Sequence, residues 1–369
     1  MNFIVEKIII LVSLVVSILY LFSIRSRLLY SKYRSLPFKS IGKISVIIPA
    51  RNEETNIEKL LKTLIKQSIE LHEIIIVNDN SSDNTANIVE HFSKKSRKIK
   101  LINLLEEPPE GWTGKSWALW NGVKNSSGDL LLFLDADVEL DERAIEILVQ
   151  KYNESGDVIS VWPYQRFECF YEHLTLAANL LIVYSSKNFP FLGNKPAGLF
   201  GPVIFTSRDD YIQIGGHKAV RESILEDLKL GKQYLIHGKK IDNYLGNGLI
   251  KFRMYPGGIK QLFEGYTKNM ASGSIFGGFW NFIAAFLWMF GIYLSIFRIF
   301  DSLWNLLIYI TYIFIILILS KPLGDYKWYD FLFYPVHFLF FLSVFIFSIF
   351  ETVFLKQVSW KGRKISVQR

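Results

Sequence analysis

The feature that most constrains the fold is an alternation of short apolar runs with helical patterns between residues 43 and 161. The runs are rich in branched aliphatic residues, which is typical of buried strands. They span Ile44–Ile48, Ile74–Val77, Ile99–Leu104 and Leu130–Leu134. Helical patterns separate them at Ile57–Ile69, Asn84–Ser96 and Lys115–Asn125. Such alternation arises from parallel strands joined by right-handed crossovers, so the sequence predicts an α/β domain with a mostly parallel, Rossmann-like sheet.

Polar clusters directly follow three of the four predicted strands. They are Arg51-Asn52-Glu53, Asn78-Asp79 and Asp135-Ala136-Asp137. Because sheets of this kind bind ligands at the carboxyl ends of their strands, the three clusters are expected to share one site.

Asp135 and Asp137 place two carboxylates on one tight loop after an apolar strand. Mg²⁺ and Mn²⁺ are hard cations that bind one or two carboxylates together with phosphate oxygens and water. A metal held in this way neutralises the charge that develops on a departing diphosphate. Solvated turns also use Asp freely, but the position at a strand end favours a Mg²⁺ or Mn²⁺ site. Cys169 is the only cysteine and the histidines lack zinc-site spacing, so a cysteine or zinc centre is not expected.

Two further loops carry groups suited to a nucleotide. Asp79 follows the second predicted strand and can accept hydrogen bonds from a base or ribose, whereas Asp83 is interpreted as a cap of the next helix. Gly114 and Lys115 lie at a predicted helix N-terminus, where backbone N–H groups and one cation suit phosphates. The spacing from Gly111 is too short for a P-loop, and a plain helix start is the alternative.

The last polar cluster combines Gly215-Gly216-His217 with Glu226-Asp227. A carboxylate on a helix that follows a glycine turn can accept the proton of an attacking hydroxyl group. Asp227 is the preferred base and Glu226 the second candidate. The alternative is a carboxylate pair that only stabilises the N-terminus of a helix.

Four apolar segments flank the α/β domain in sequence. They are Ile8–Ile24, Ile275–Phe297, Leu303–Leu319 and Phe331–Phe350, each close to the ~20 residues that cross a bilayer. One of the last three could instead be re-entrant or interfacial. The predicted organisation is an anchor at residues 1–30, an α/β domain at 43–268, membrane segments at 275–350 and a basic, cytoplasmic-type tail at 351–369. The stretch Glu172–Ser186 is predicted to be an amphipathic helix at a surface or interface.

The formal net charge of +8 fits either nucleic acid or an anionic membrane surface. Basic residues gather at the ends of the apolar segments, which favours a membrane and argues against nucleic acid as a partner. Four of them follow the first segment, and Lys7 alone precedes it. The four are Arg25, Arg27, Lys32 and Arg34. The α/β domain is therefore expected in the cytoplasm, as part of a multi-pass cell-membrane protein.

Together, these motifs resemble the family 2 glycosyltransferases of the GT-A fold. The resemblance covers residues 43 to 266, and Asn80 stands where the family usually has glycine. Four motifs recur in the family's order, namely Ser45–Glu54 for the opening strand and nucleotide loop, Asn78–Asp83 for DDGSxD, Leu134–Asp137 for DxD and Leu225–Leu228 for the acceptor-side Glu-Asp pair.

The resemblance implies an inverting, metal-dependent hexosyltransferase that uses a UDP-sugar, with glucose as the first candidate sugar. It also assigns roles to individual residues. The nucleotide sugar is assigned to Pro49, Ala50, Arg51, Glu53, Asp79, Gly114, Lys115 and Asp135, and the metal to Asp135 and Asp137. Catalysis is assigned to Asp227 and Glu226, and the acceptor side to Gly216, His217 and Arg253.

More narrowly, the chain resembles the carotenoid glycosyltransferases that act on 4,4'-diaponeurosporenoate. The likeness lies in the N-terminal anchor and in five segments, namely Gly201-Pro202-Val203, Tyr211–His217, Arg253-Met254-Tyr255, Glu264–Lys268 and Trp360–Arg363. It implies a membrane lipid acceptor of the carotenoid or isoprenoid class, reacting through a hydroxyl or a carboxylate. The alternatives are ceramide, a glycerolipid, a polyprenyl phosphate, or a non-catalytic membrane scaffold. Arg253-Met254 stands where processive polysaccharide synthases carry QxxRW, which argues against a polymer synthase.

Overall fold

The computed structural model describes residues 3–24, 27–29, 42–185, 196–274, 278–351, 357–360 and 363–366. The chain divides into two compact units. The sheet unit contains residues 29–164 and 198–252, and the helical unit contains residues 1–28, 165–197 and 253–369.

The strands and helices alternate along the first half of the chain, and helices dominate the second half. The strands are β1 Ile44–Ala50, β2 Glu73–Asp79, β3 Ile99–Leu104, β4 Leu130–Leu134, β5 Val138–Leu140, β6 Val158–Trp162, β7 Tyr164–Gln165, β8 Val203–Ser207, β9 Ile241–Leu245, β10 Ile250–Phe252, β11 Gln357–Trp360 and β12 Arg363–Ser366. The helices are α1 Phe3–Ile24, α2 Ile57–Ile65, α3 Thr85–Lys95, α4 Gly114–Lys124, α5 Ala144–Ser155, α6 Leu176–Ser185, α7 Arg208–Gln213, α8 Gly216–Ala219, α9 Glu226–Ile236, α10 Ile259–Ser274, α11 Phe279–Phe297, α12 Leu303–Ser320, α13 Trp328–Leu332 and α14 Tyr334–Phe350.

The sheet unit is built on a seven-stranded sheet in the order β3-β2-β1-β4-β8-β6-β9. Strands β3, β2, β1 and β4 are parallel to one another, and β8 is antiparallel to both of its neighbours. The predicted α/β fold with a mostly parallel sheet is therefore confirmed. Strand β8 begins beside the last residue of β4, where Val203 pairs with Leu134, and runs back along β4 to Ser207, directly before α7.

The four predicted strands and three predicted helices all form. The predicted helix Ile57–Ile69 ends earlier than expected, at Ile65. The side chain of Ile65 is 55% exposed, so it does not continue the buried stripe of Ile57, Leu60, Leu61 and Leu64. Strand β1 runs further than expected, through Pro49 to Ala50.

One apolar cluster fixes the site-bearing elements to the sheet. It joins Ile47 of β1 and Phe133 of β4 to Leu119 of α4, Tyr211 of α7 and Tyr234 of α9. Each of these side chains is at most 3% exposed. Burial of an aliphatic or aromatic side chain of this size contributes roughly 1.5–3 kcal/mol, so the cluster holds α4, α7 and α9 on one face of the sheet.

In the helical unit, α1 packs along α11 and α12. The Ser13 hydroxyl donates to the Trp288 carbonyl at 2.8 Å, Trp288 Nε1 donates to Ser17 Oγ at 2.9 Å, and the Tyr312 hydroxyl donates to Ser13 Oγ at 2.7 Å. These polar groups are paired within otherwise apolar helices, as a hydrocarbon environment requires. By length and composition, α1, α11 and α12 are each able to cross a membrane.

The last predicted apolar segment, Phe331–Phe350, is divided in the structure. Helix α13 ends at Leu332, and α14 begins at Tyr334 with Pro335 in its first turn. Proline favours the first turn of a helix because its missing N–H has no partner there anyway. The resulting α14 has 17 residues and is shorter than α11 and α12.

The prediction of an amphipathic surface helix at Glu172–Ser186 is wrong. A 3₁₀ helix at Phe170–Thr175 leads into α6, whose side chains are mostly buried. The polar residue Asn179 is buried, and both ends of its amide are hydrogen-bonded. Its nitrogen donates to the Tyr326 hydroxyl at 2.8 Å, and its oxygen accepts from the Tyr266 hydroxyl at 3.0 Å. Polar residues that are hydrogen-bonded inside the helical unit therefore resemble, in the sequence, the polar face of an amphipathic helix.

Several sequence predictions fall on residues outside the described ranges. They include Arg25, Lys32, Arg34, the start of the segment at Ile275, Ser186, and Lys361 and Gly362 of the basic tail.

Candidate active site

The loops that follow β1 and β2 are tied together by side-chain to backbone hydrogen bonds. Asn52 accepts from the Ser82 backbone N–H at 2.9 Å, and its own N–H donates to Ser81 Oγ at 3.0 Å. Asn52 and Asn80 have φ angles of 54° and 51°, a left-handed conformation that asparagine tolerates better than most residues. The asparagine at position 80 can therefore serve the turn where the family usually has glycine.

Arg51 and Asp79 lie side by side at the ends of β1 and β2. The Arg51 guanidinium donates to the Asp79 carbonyl at 2.9 Å and lies 3.8 Å from its carboxylate. Asp79 is only 4% exposed. Pro49 and Ala50 pair with Val77 and Asn78 in the register of the two strands, directly beside this pair.

Glu53 and Asp83 stabilise the same region through backbone contacts. The Glu53 N–H donates to Thr85 Oγ1 at 2.8 Å. Asp83 accepts from the Thr85 N–H and from the Glu54 N–H, both at 3.0 Å. Asp83 therefore binds the backbone N–H of the first residue of α3, whereas the residue directly before the helix is Asn84, whose side chain makes no capping hydrogen bond.

Lys115 lies in the first turn of α4, whose cap is Thr113. Its ammonium is 2.9 Å from Asp135 Oδ1 and 3.2 Å from Glu226 Oε1. Burial disfavours the charge, but Asp135, Glu226 and Asp227 together hold the pKa of Lys115 well above its usual value. One fixed cation therefore joins the end of β4 to the start of α9.

Asp135 and Asp137 both follow β4 and are both partly exposed. Among the described residues, no group of three His, Cys, Asp or Glu side chains is arranged to hold a metal. Two partly exposed carboxylates nevertheless fit Mg²⁺ or Mn²⁺, because these ions take their other ligands from phosphate oxygens and water.

Asp227 is the second residue of α9 and faces a pocket at the edge of the sheet. Burial and the neighbouring Glu226 carboxylate raise its pKa to about 6. Gly201 allows a close approach, because a Cβ atom there would lie 2.5 Å from Asp227 Oδ2. The pocket lining is completed by Lys115, Leu119, Phe133, Leu134, Asp135, Ile204, His217 and Glu226.

His217 lies in α8 and is 1% exposed. Its Nδ1 is 2.8 Å from the Tyr211 hydroxyl, and its backbone N–H donates to the same hydroxyl at 2.9 Å. Burial lowers the pKa of His217 to about 3, so the imidazole is neutral at physiological pH. Gly216 has a φ of 50°, and a Cβ there would lie 2.4 Å from the Tyr211 ring. Glycine at 216 therefore lets this turn pack on the tyrosine.

Arg253 belongs to the helical unit and is held by two carboxylates. Its Nε donates to Glu172 Oε1 at 2.8 Å and its guanidinium donates to Glu168 Oε2 at 2.7 Å. Glu172 is completely buried, so the pair stabilises the turn around the 3₁₀ helix. A role of Arg253 on the acceptor side stays a prediction.

The structure thus brings together Lys115, Asp135, His217, Glu226 and Asp227 around one pocket. The sequence assigned no role to the apolar lining. Gly201 and Tyr211 lie in segments that carry the resemblance to the carotenoid enzymes, but that resemblance gave neither residue a role of its own. The position of Gly201 just before an apolar run is a signal for its close approach to the site. Tyr211 gave a weaker signal, because its contact with His217 depends on the turn at Gly215-Gly216.

The site lies on a mixed sheet with carboxylates at the ends of its strands, and comparison with known proteins shows the family to which such a chain belongs. Residues 45–215 match the family model for glycosyl transferase family 2. The chain belongs to this family and is a glycosyltransferase.

The full chain is similar to a curated relative from Staphylococcus aureus. It is 32% identical to the 4,4'-diaponeurosporenoate glycosyltransferase of strain MRSA252 over 361 residues, which cover 93% of this chain and 94% of the relative. The same identity and coverage apply to the protein of that name from strain USA300.

Among solved structures, a mannosyltransferase from Pyrobaculum calidifontis in complex with GDP-Man and Mn²⁺ shares the fold. The alignment covers 95% of this chain and 99% of that one, with a TM-score of 0.59 at 17% identity. The predicted GT-A fold is therefore confirmed.

Proposed function

We propose that this protein is an inverting glycosyltransferase that moves a sugar, with glucose as the first candidate, from a UDP-sugar to a membrane lipid of the carotenoid or isoprenoid class. The observation that carries the proposal is the Lys115 ammonium, which lies within 3.2 Å of both Asp135 and Glu226. The carboxylate proposed to lie at the donor diphosphate is therefore adjacent to one proposed to lie at the acceptor, which supports transfer between the two.

The donor would lie along the ends of β1, β2 and β4. Pro49, Ala50, Arg51, Glu53 and Asp79 would contact the nucleoside. Gly114 and Lys115 at the start of α4 would contact the phosphates, as helix N-termini do. Asp135 and Asp137 would hold Mg²⁺ or Mn²⁺, and this ion would stabilise the negative charge of the leaving diphosphate.

Asp227 is the proposed general base. With a pKa near 6 it is mostly ionised at pH 7.5, yet more basic than an ordinary aspartate. It accepts the proton of the acceptor hydroxyl while the acceptor oxygen forms a bond to the anomeric carbon. The bond from that carbon to the diphosphate oxygen breaks on the opposite face, so the configuration inverts and UDP leaves.

The lipid acceptor is supported by two observations. Helices α1, α11 and α12 are long and apolar enough to cross a bilayer, which would keep the chain where lipids are found. The name of the relative with 32% identity refers to a carotenoid acid, 4,4'-diaponeurosporenoate.

Lipid mass spectrometry tests the proposal. Cells that make the carotenoid or isoprenoid acceptor are given the wild-type chain or Asp137→Ala. A lipid product heavier by one hexose in the wild type alone would support the proposal. A product on ceramide or glycerolipid would contradict the acceptor class, and no transfer from any UDP-sugar would contradict the reaction.

The reacting group of the acceptor can be decided with Asp227→Asn. A hydroxyl needs a base, which contributes roughly 10²–10⁴-fold to the rate, whereas an ionised carboxylate needs none. The variant is therefore expected to lose activity on an isoprenoid alcohol and to retain far more on the matched acid. Equal losses on both would show that Asp227 does not act as the base.

A further inference from the structure

The Tyr211 hydroxyl fixes the position of the ring proton on His217. This hydroxyl accepts the backbone N–H of His217 at 2.9 Å and lies 2.8 Å from its Nδ1. Its own proton needs an acceptor, because Tyr211 is fully buried. Among the described residues, Nδ1 is the acceptor within hydrogen-bond distance. The opposite arrangement, with the proton on Nδ1, would leave the buried tyrosine proton without an acceptor, which is unfavourable.

The neutral imidazole then carries its proton on Nε2, because Nδ1 acts as the acceptor. His217 lines the same pocket as Glu226 and Asp227. With Nδ1 bound to Tyr211, Nε2 is the ring nitrogen left to serve that pocket. A protonated Nε2 donates a hydrogen bond and cannot accept a proton, so His217 is not the base.

We propose that Tyr211 is a positioning residue which holds His217 as a neutral Nε2–H donor, and that this donor binds the reacting oxygen group of the acceptor. This inference rests on the proposed function, since it concerns the acceptor of the same site. The pocket already contains the carboxylates of Asp135, Glu226 and Asp227 against the single ammonium of Lys115. A neutral donor adds a hydrogen bond for oxygen without adding charge, and it suits a hydroxyl as well as a carboxylate.

The first experiment measures the tautomer directly. Full-length protein with ¹⁵N-labelled histidine is purified in detergent, and the His217 signals are assigned by their loss in His217→Gln. The wild type is expected to show an unprotonated Nδ1 and a protonated Nε2. Tyr211→Phe should give a mixture of tautomers, while Tyr234→Phe should leave the signals unchanged. Tyr234 is a suitable control because it is equally buried in the same core and donates to Thr206 Oγ1 instead.

The second experiment separates acceptor binding from donor binding. Loss of one neutral hydrogen bond should raise the acceptor KM roughly 5–10-fold in His217→Leu, with UDP binding unchanged. Tyr211→Phe leaves part of the protein with its proton on Nε2, so its acceptor KM should rise by a smaller factor. His217→Gln keeps an N–H donor and should recover part of the loss, and Tyr234→Phe should keep the wild-type KM. An active enzyme with the proton on Nδ1, or an unchanged acceptor KM in His217→Leu, would overturn this inference alone. Absence of lipid transfer by the wild type would instead overturn the proposed function, and the acceptor role of His217 with it.

Discussion

At the residue scale, the charge state of Asp227 sets the expected pH dependence of the reaction. Its pKa is raised to about 6, so lowering the pH through this value protonates the carboxylate and removes the base. We expect kcat/KM, which reports ionisations of the free enzyme, to fall about tenfold for each pH unit below 6 and to level off above 7. Initial rates between pH 5 and 8.5, at donor and acceptor concentrations well below their KM, measure this acidic limb of the pH profile.

A substitution at Glu226 tests why the pKa of Asp227 is raised. Its negative charge is the second contribution to the raised pKa of Asp227, after burial. Glu226→Gln should therefore shift the acidic limb to lower pH, in addition to any loss of rate. Glu222→Gln, at an exposed position, should leave the limb in place. A limb that does not move in Glu226→Gln would show that another group titrates.

Asp137 tests the metal assignment. Asp137→Asn removes one of two carboxylates offered to the ion and should lower kcat/KM by about 10²-fold or more, because charge stabilisation by the metal is worth several kcal/mol. Chelator should abolish the wild-type activity, and added Mn²⁺ should restore it. Asp209→Asn is the control, since this exposed aspartate lies in the first turn of α7. Near-normal transfer in excess chelator would refute the metal role.

At the scale of the elements, Glu73 connects the strands that carry the donor loops. It is 2% exposed and accepts from Ser45 Oγ at 2.7 Å, the Ser127 N–H at 2.6 Å and the Lys100 ammonium at 2.7 Å. It therefore links β1, β2, β3 and the loop before β4. Burial opposes ionisation, but these donors lower the pKa of Glu73 to about 2.

The consequence is a predicted acid sensitivity of the fold. Because the folded pKa lies below the unfolded one, the ionised Glu73 stabilises the protein above about pH 4.5, and this stabilisation is lost as the pH falls towards 2. Glu73→Gln should lower the free energy of unfolding by about 1–3 kcal/mol at pH 7.5. Thermal unfolding of the detergent-purified chain should show a Tm difference that shrinks as the pH is lowered towards 3. A constant difference would contradict this assignment.

The sequence predicts strands and helices of the sheet unit well for a physical reason. Strands buried on both faces need continuous apolar runs, such as Leu130–Leu134, and these are visible in the sequence. The antiparallel β8 was not foreseen, because strand direction depends on the route of the chain after β4. Helix α6 was misassigned because Asn179 is satisfied by Tyr266 and Tyr326, which are distant in sequence.

At the scale of the whole molecule, the sequence reveals which charged groups the site contains, but it does not reveal which of them contact each other. The carboxylates of Asp79 and Asp135 could be proposed because each belongs to a polar cluster that follows an apolar run. The ion pairs of Lys115 with Asp135 and Glu226 could not, since tertiary packing of α4 and α9 creates them. The order of the motifs indicates which groups are available, and the packed core decides which of them meet.

The sequence also predicts the side of the membrane on which the sheet unit lies. Four basic residues follow the first apolar segment and one precedes it, a bias that predicts a cytoplasmic position for the following domain. A UDP-sugar made in the cytoplasm would also be accessible there. The test introduces Asn125→Cys, at an exposed position at the end of α4, into a Cys169→Ala background. We expect an impermeant maleimide to label this cysteine in permeabilised cells and to leave it unmodified in intact cells. Since Cys169 is the only native cysteine, labelling of intact cells would come from position 125 and would place the sheet unit outside.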